Sequence, residues 1–148
     1  MTIDALYSRE ILRRTTQIQH VGHLDAPQGS ADGVAKLCGS TIHVEVKLRD
    51  AQVSDFAQII EACALGQASA AILSQSVIGA SLAEIEAGRD ALRALLKGDE
   101  ADIPDRFRDL IILQSVKDFP ARHASTLLAW EATLEAAKQA LASASYQS

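Results

Sequence analysis

A chain of 148 residues amounts to one ordinary domain, long enough to bury a proper core. Its net charge of −5 argues against nucleic acid, because a phosphate-binding surface needs concentrated basic charge. Apolar content of 48% with only 4% aromatics points to an aliphatic, alanine-rich core, and no apolar run reaches the length of a membrane span. The first residues lack a charged-then-apolar signal pattern, so a cytoplasmic location is expected. In that reducing compartment the two cysteines, Cys38 and Cys63, read as free thiols, metal ligands or reactive groups before a structural disulfide. On composition alone, two buried and inert thiols are the favoured reading.

Residues 4–16 carry a ragged apolar stripe of Ile3, Leu6, Tyr7, Ile11 and Leu12 with Arg9, Arg13 and Arg14 opposite, the pattern of a helix. From Gln17 to Gly33 the glycines, Pro27 and polar residues predict a loop, and its two histidines, His20 and His23, read as solvated. Val34–Leu37 reads as a short strand. Ile42, Val44, Val46 and Leu48 alternate with Thr41, His43, Glu45 and Lys47, which predicts a half-buried strand with His43 exposed on its polar face. Arg49-Asp50 makes a turn.

Residues 51–62 are ambiguous by pattern, since Val53, Phe56, Ile59 and Ile60 fit a helical stripe while the preceding turn favours a returning strand. Residues 64–78 are almost uncharged and predict a buried helix ended by Gly79. Ser81-Leu82-Ala83-Glu84 has the form of a capping box that opens the next helix, with Gly98 after its end. Leu110–Val116 reads as a short helix over the core. Pro120 suits the first turn of a last helix over 121–142, and residues 143–148 are expected to fray.

The chemistry concentrates on the thiols. A helix N-terminus lowers a thiol pKa, and Cys63 stands where the small-residue helix Ala64-Leu65-Gly66-Gln67-Ala68-Ser69-Ala70 begins. Cys38 adjoins Gly39, which lets backbone approach closely. Arg122 and His123 would add positive charge to the same place, or else face solvent at the head of the last helix. A thiol enzyme pairing Cys63 with His123 has no local mark, and no phosphate loop or nucleophile elbow is present. The carboxylates Glu84, Glu86, Asp99 and Glu100 read as solvated.

Several stretches resemble the U-type, or NifU-like, iron–sulfur cluster assembly scaffolds. Leu37-Cys38-Gly39-Ser40 resembles the family's Cys-Gly-Asp, and Ala62-Cys63-Ala64-Leu65-Gly66-Gln67-Ala68-Ser69-Ala70 resembles its Gly-Cys with a small-residue helix behind it. Val116-Lys117-Asp118-Phe119-Pro120-Ala121-Arg122 resembles the segment before its third cysteine, and Leu128-Ala129-Trp130-Glu131-Ala132 resembles the segment after that cysteine. The resemblance covers most of the chain and implies one domain over 1–148. It implies an α+β fold, a three-stranded antiparallel sheet packed by about five helices, with residues 51–61 as the third strand and the site at one sheet end.

In that family three cysteines and an aspartate, with a histidine in some branches, hold a cluster or zinc. Cys38 and Cys63 match the first two cysteines, Arg122 would line the site, and Ser40 and Ser125 stand where the aspartate and third cysteine belong. Ala124 fills the histidine position. His123 lies two residues from Ser125, a rotation of roughly 200° on a helix, and reaches the site only if the helix start is irregular.

The resemblance implies a non-enzymatic scaffold for iron or a labile [2Fe–2S] cluster, with zinc as the other metal. The partners it implies are a cysteine desulfurase and cluster-accepting proteins. Two thiols supply half of a two-iron cluster's ligands, leaving His123, an external thiol or the second subunit of a homodimer to supply the rest. The alternative is a relative that has given up metal and docks on the desulfurase or another assembly factor.

Overall fold

A computed structural model describes residues 7–147, with side chains as far as Ser143. Its sheet is antiparallel in the order β1-β2-β3, with β1 at Gly29–Ala35, β2 at Ser40–Arg49 and β3 at Gln52–Glu61. The helices are α1 (Arg9–Arg14), α2 (Ala64–Ser76), α3 (Leu82–Lys97) and α4 (His123–Gln147). A 3-10 segment, Asp105–Asp118, and a 3-10 turn, Pro120–Arg122, complete the chain. The expected α+β fold with about five helices is therefore present.

The sheet is built around β2, whose β-branched residues pair on both sides. Residues directly opposite in an antiparallel pair share a face. Ala31, Val44 and Gln58 form one row of the inner face, and Gly29, Val46 and Phe56 form the next. Val44 and Val46 are wholly buried there. The helices cover this face. α4 lies directly on β1, where a Cβ at position 29 would collide with the Ala136 carbonyl, so Gly29 is needed for that close approach. The contact also explains why Gly29–Ala35 is a strand although the sequence reads as loop as far as Gly33. Pairing with β2 and packing under α4 override its weak intrinsic preference.

Small residues set the helix spacing. Ala129, Ala132, Ala136, Ala137 and Ala140 are buried along α4, and Ala68, Ala70 and Ala71 along α2. Trp130 fills the junction, packed edge-on against Phe107 with ring centroids 4.8 Å apart. Its indole N–H donates to Ser69 Oγ at 3.0 Å, and Ser69 donates to the Thr126 carbonyl at 2.6 Å. Those bonds fix α2 against the first turns of α4, which bears directly on the site.

Several expected boundaries change. The first helix is only one and a half turns long in the described chain, and Ile3 and Leu6 of its expected stripe lie outside the described residues. The helix expected at Leu110–Val116 is part of the longer 3-10 segment Asp105–Asp118, broken at Phe107. The last helix begins at His123 after the Pro120–Arg122 turn and continues through Gln147, so its backbone does not end at 142. The capping box forms as expected: Ser81 Oγ accepts from the Glu84 N–H, and Glu84 accepts from the Ser81 N–H. Gly98 ends α3 with φ 79°, the left-handed cap that glycine adopts without penalty.

Candidate metal and sulfur site

Cys38 lies in the tight turn between β1 and β2, where Gly39 takes φ 67°. Cys63 lies just beyond β3 and is the N-cap residue of α2. β2 and β3 form a hairpin whose open end pairs Thr41 with Glu61, so its two ends bring both thiols to the same end of the sheet. The head of α4 then closes over them.

The contacts are specific. The Cys38 thiol donates to the Ala121 carbonyl at 3.4 Å, and Arg122 Nη1 donates to Cys38 Sγ at 3.4 Å. Cys63 Sγ lies 3.4 Å from Ser125 Oγ, which in turn lies 3.0 Å from Ser40 Oγ. Both serines are 1% exposed, whereas both cysteines are half-buried and open to reagents. Cys38 with Arg122, and Cys63 with Ser125 and Ser40, thus form two adjacent contact sets at the head of α4, with the Arg122 charge acting on both sulfurs.

Electrostatics lower the pKa of Cys63. Burial alone would push its pKa up, but the Ser125 hydroxyl, the Gly66 and Leu65 N–H groups at the start of α2, and the Arg122 charge together hold it below the ordinary thiol value. No side-chain hydrogen bond caps α2, so the helix start acts on the sulfur through its exposed N–H dipoles. The Cys38 contact raises the hold of Arg122 on its proton, and the guanidinium remains a fixed positive charge beside both sulfurs.

His123 is not brought to the cluster. Its Nε2 bonds the Val116 and Lys117 carbonyls at 3.0 and 3.3 Å, which fastens the head of α4 to the 3-10 segment. The two-residue offset from Ser125 turns the ring away, and the Pro120–Arg122 turn does not undo that rotation. Among the described residues no His, Asp or Glu joins the two thiols to make a group of three ligands.

Gly66 is a site residue that the sequence did not single out. A Cβ there would lie 2.8 Å from Ser125 Oγ and 2.8 Å from the Ala62 Cβ, so only glycine lets Ser125 sit against Cys63. The run of small residues after Cys63 was the available signal. Two histidine readings are also corrected. His23 is exposed, as expected of a loop histidine, but it does have an acidic neighbour, its Nδ1 lying 2.9 Å from Glu45 Oε2. His43, expected to be exposed, is half-buried between Asp32 and Glu45.

The fold that carries these residues belongs to a known class. The profile of the NifU-like N terminal domain matches residues 6–126, and the chain is a member of that family. The iron–sulfur cluster assembly scaffold protein IscU of Thermotoga maritima is 27% identical over 139 residues, 94% of this chain and 97% of that one. The zinc-dependent sulfurtransferase SufU of Bacillus subtilis is 30% identical over 130 residues, 88% of each chain. The crystal structure of the N-terminal part of a NifU-like protein from Brucella abortus superposes with a TM-score of 0.90 at 41% identity, covering 95% of this chain and 97% of that one.

Proposed function

We propose that this chain is an iron–sulfur cluster assembly scaffold that receives iron or a nascent cluster as cargo on Cys38 and Cys63. The observation that carries the reading is that both thiols lie at one end of the sheet, Cys38 held by Arg122 and Cys63 by Ser125, with the Arg122 charge acting on both. The family membership and the scaffold name of the Thermotoga relative support it.

The donor set suits half of a two-iron cluster. Each tetrahedral iron of a [2Fe–2S] unit takes two protein ligands beside two sulfides, and the pair of thiolates supplies one iron. Ser40 and Ser125 are neutral and hydrogen-bonded to each other, which makes them poor ligands for a soft metal. The remaining two positions fall to a small exogenous thiol or to the second copy in a homodimer. Cargo held this way leaves easily, as transfer to an acceptor protein requires.

Arg122 neutralises the anionic thiolates and the charge of an incoming cluster. Cys63, whose pKa is lowered by Ser125, the start of α2 and Arg122, is the acceptor for sulfur from a cysteine desulfurase. The thiolate attacks the outer sulfur of the donor persulfide, the new S–S bond forms at Cys63, and the donor cysteine leaves as thiolate. The sulfurtransferase name of the Bacillus relative supports this step, and its zinc dependence supports zinc as the other metal at the two sulfurs. The chain works without turnover of its own. No helix among the described residues is long and apolar enough to cross a membrane.

A second reading is a docking module without metal, favoured by the Ser40–Ser125 hydrogen bond that occupies two ligand positions and by Leu37, 76% exposed beside Cys38. Elemental analysis of protein purified without oxygen separates the two. Iron with sulfide, or zinc, that is absent from the Cys38→Ser, Cys63→Ser double variant supports the scaffold. Metal-free wild type that still binds the desulfurase supports the docking module.

A further inference from the structure

The outward face of the sheet carries a second cluster that the thiol site does not use. The loop before β1 first runs along the free edge of β3, where the Gln58 N–H donates to the His20 carbonyl and the Gly22 N–H to the Gln58 carbonyl, both at 3.0 Å. It then crosses over β2. His23 meets Glu45 there, Leu24 N–H donates to Glu45 Oε1 at 2.7 Å, and His43 Nε2 lies 2.8 Å from Glu45 Oε2. One ligand atom from each of His23, His43 and Glu45 falls within 4.8 Å of the others.

We propose that His23 Nδ1, His43 Nε2 and Glu45 Oε2 form a binding site for a divalent transition-metal ion, zinc by preference, separate from the two cysteines. Three features distinguish the cluster from an ordinary surface ion pair. Glu45 is 8% exposed, an unusual position for a carboxylate, and its second oxygen is already held by backbone, so only Oε2 faces the two rings. His43 Nδ1 lies 2.9 Å from Asp32 Oδ1, the carboxylate–histidine arrangement that orients a metal-bound imidazole and leaves Nε2 as the ligand atom. Two imidazoles and one carboxylate are the ligand set of an open zinc site, with the fourth position left to water.

Glu45 is pushed down to about 2, first by the His23 hydrogen bond and then by the Leu24 N–H and His43. His43 is held above its ordinary value by Glu45 and Asp32. His43 and Ser40 point to opposite faces of β2, since they are an odd number of residues apart, so this site and the thiol cluster do not share ligands.

The test adds zinc or cobalt ions to the Cys38→Ser, Cys63→Ser double variant of the full chain. The expected result is one equivalent of bound zinc and a cobalt spectrum with visible bands but no thiolate charge-transfer band. His23→Ala removes an exposed loop side chain and should abolish the binding, while Asp32→Asn should weaken it on the order of 10–100-fold. Nuclear magnetic resonance of the unaltered rings needs no histidine variant: zinc should shift the His23 and His43 signals and leave His20 and His123 unmoved. A double cysteine variant that binds no zinc overturns the site, as does binding that survives His23→Ala or shifts confined to other histidines.

Discussion

The Ser40 and Ser125 hydroxyls lie 3.0 Å apart, buried together where the strand β2 meets the head of α4. Ser125 also touches Cys63, so this pair braces the Cys63 thiol, and in the proposed function it stands where further ligands would be needed. Replacing Ser125 by cysteine puts a soft ligand beside Cys63 at little change in volume. Ser125→Cys should retain zinc or iron at least about tenfold more tightly than the parent, read by chelator competition. Equal retention would mean that the position does not face the cargo.

Gly66 makes the Ser125 contact available, since an added methyl would press on Ser125 Oγ and the Ala62 Cβ. Gly66→Ala gains helix propensity but overpacks a buried seam. The expected net cost is about 1–3 kcal/mol, seen in urea as a lower midpoint at unchanged slope.

Cys63 has a lowered pKa in which Ser125 and Arg122 both have a part. In metal-free protein its alkylation by iodoacetamide should therefore persist to lower pH than that of a free model thiol. Arg122→Ala and Ser125→Ala should each move the rate profile upward in pH. A profile unchanged in both variants would assign the shift to the start of α2 alone.

Glu84 accepts from the Ser81 N–H and from Arg106 Nε at 2.9 Å, and Arg106 first, then the Ser81 N–H, holds its carboxyl below the ordinary 4.5. A lowered folded-state value stabilises the fold fully above the unfolded-state value, and this is lost as pH falls through the folded one. The Glu84→Gln variant should thus be less stable than wild type at neutral pH, with the gap closing in acid below 4.5. Ser81→Ala should cost about 1 kcal/mol at neutral pH through loss of the cap.

Much of this fold was legible where local signals and tertiary needs coincide. The alternation in 41–48, the Ser81–Glu84 box and Gly98 each specify an element by local chemistry alone, and each formed. Val53, Phe56, Ile59 and Ile60 did not, and only the family resemblance assigned them to a strand. The first half of β1 was hidden because Gly29-Ser30-Ala31-Asp32-Gly33 has little strand preference and depends on β2 and α4 for its state. Both cysteines were legible as a pair, and the structure brings Arg122 and Ser125 to them. His123 was open until the turn geometry aimed its ring at the Val116 and Lys117 carbonyls. The partnership of His23 with Glu45 was invisible because 21 intervening residues separate them and a loop crossing brings them together.

The central claim is that the paired thiols carry cargo, and anaerobic reconstitution with iron, sulfide and a small thiol tests it most directly. The account predicts visible cluster absorption in the wild type that Cys63→Ala removes. Wild type that shows no such absorption, or a Cys63→Ala variant that keeps it, would contradict the account.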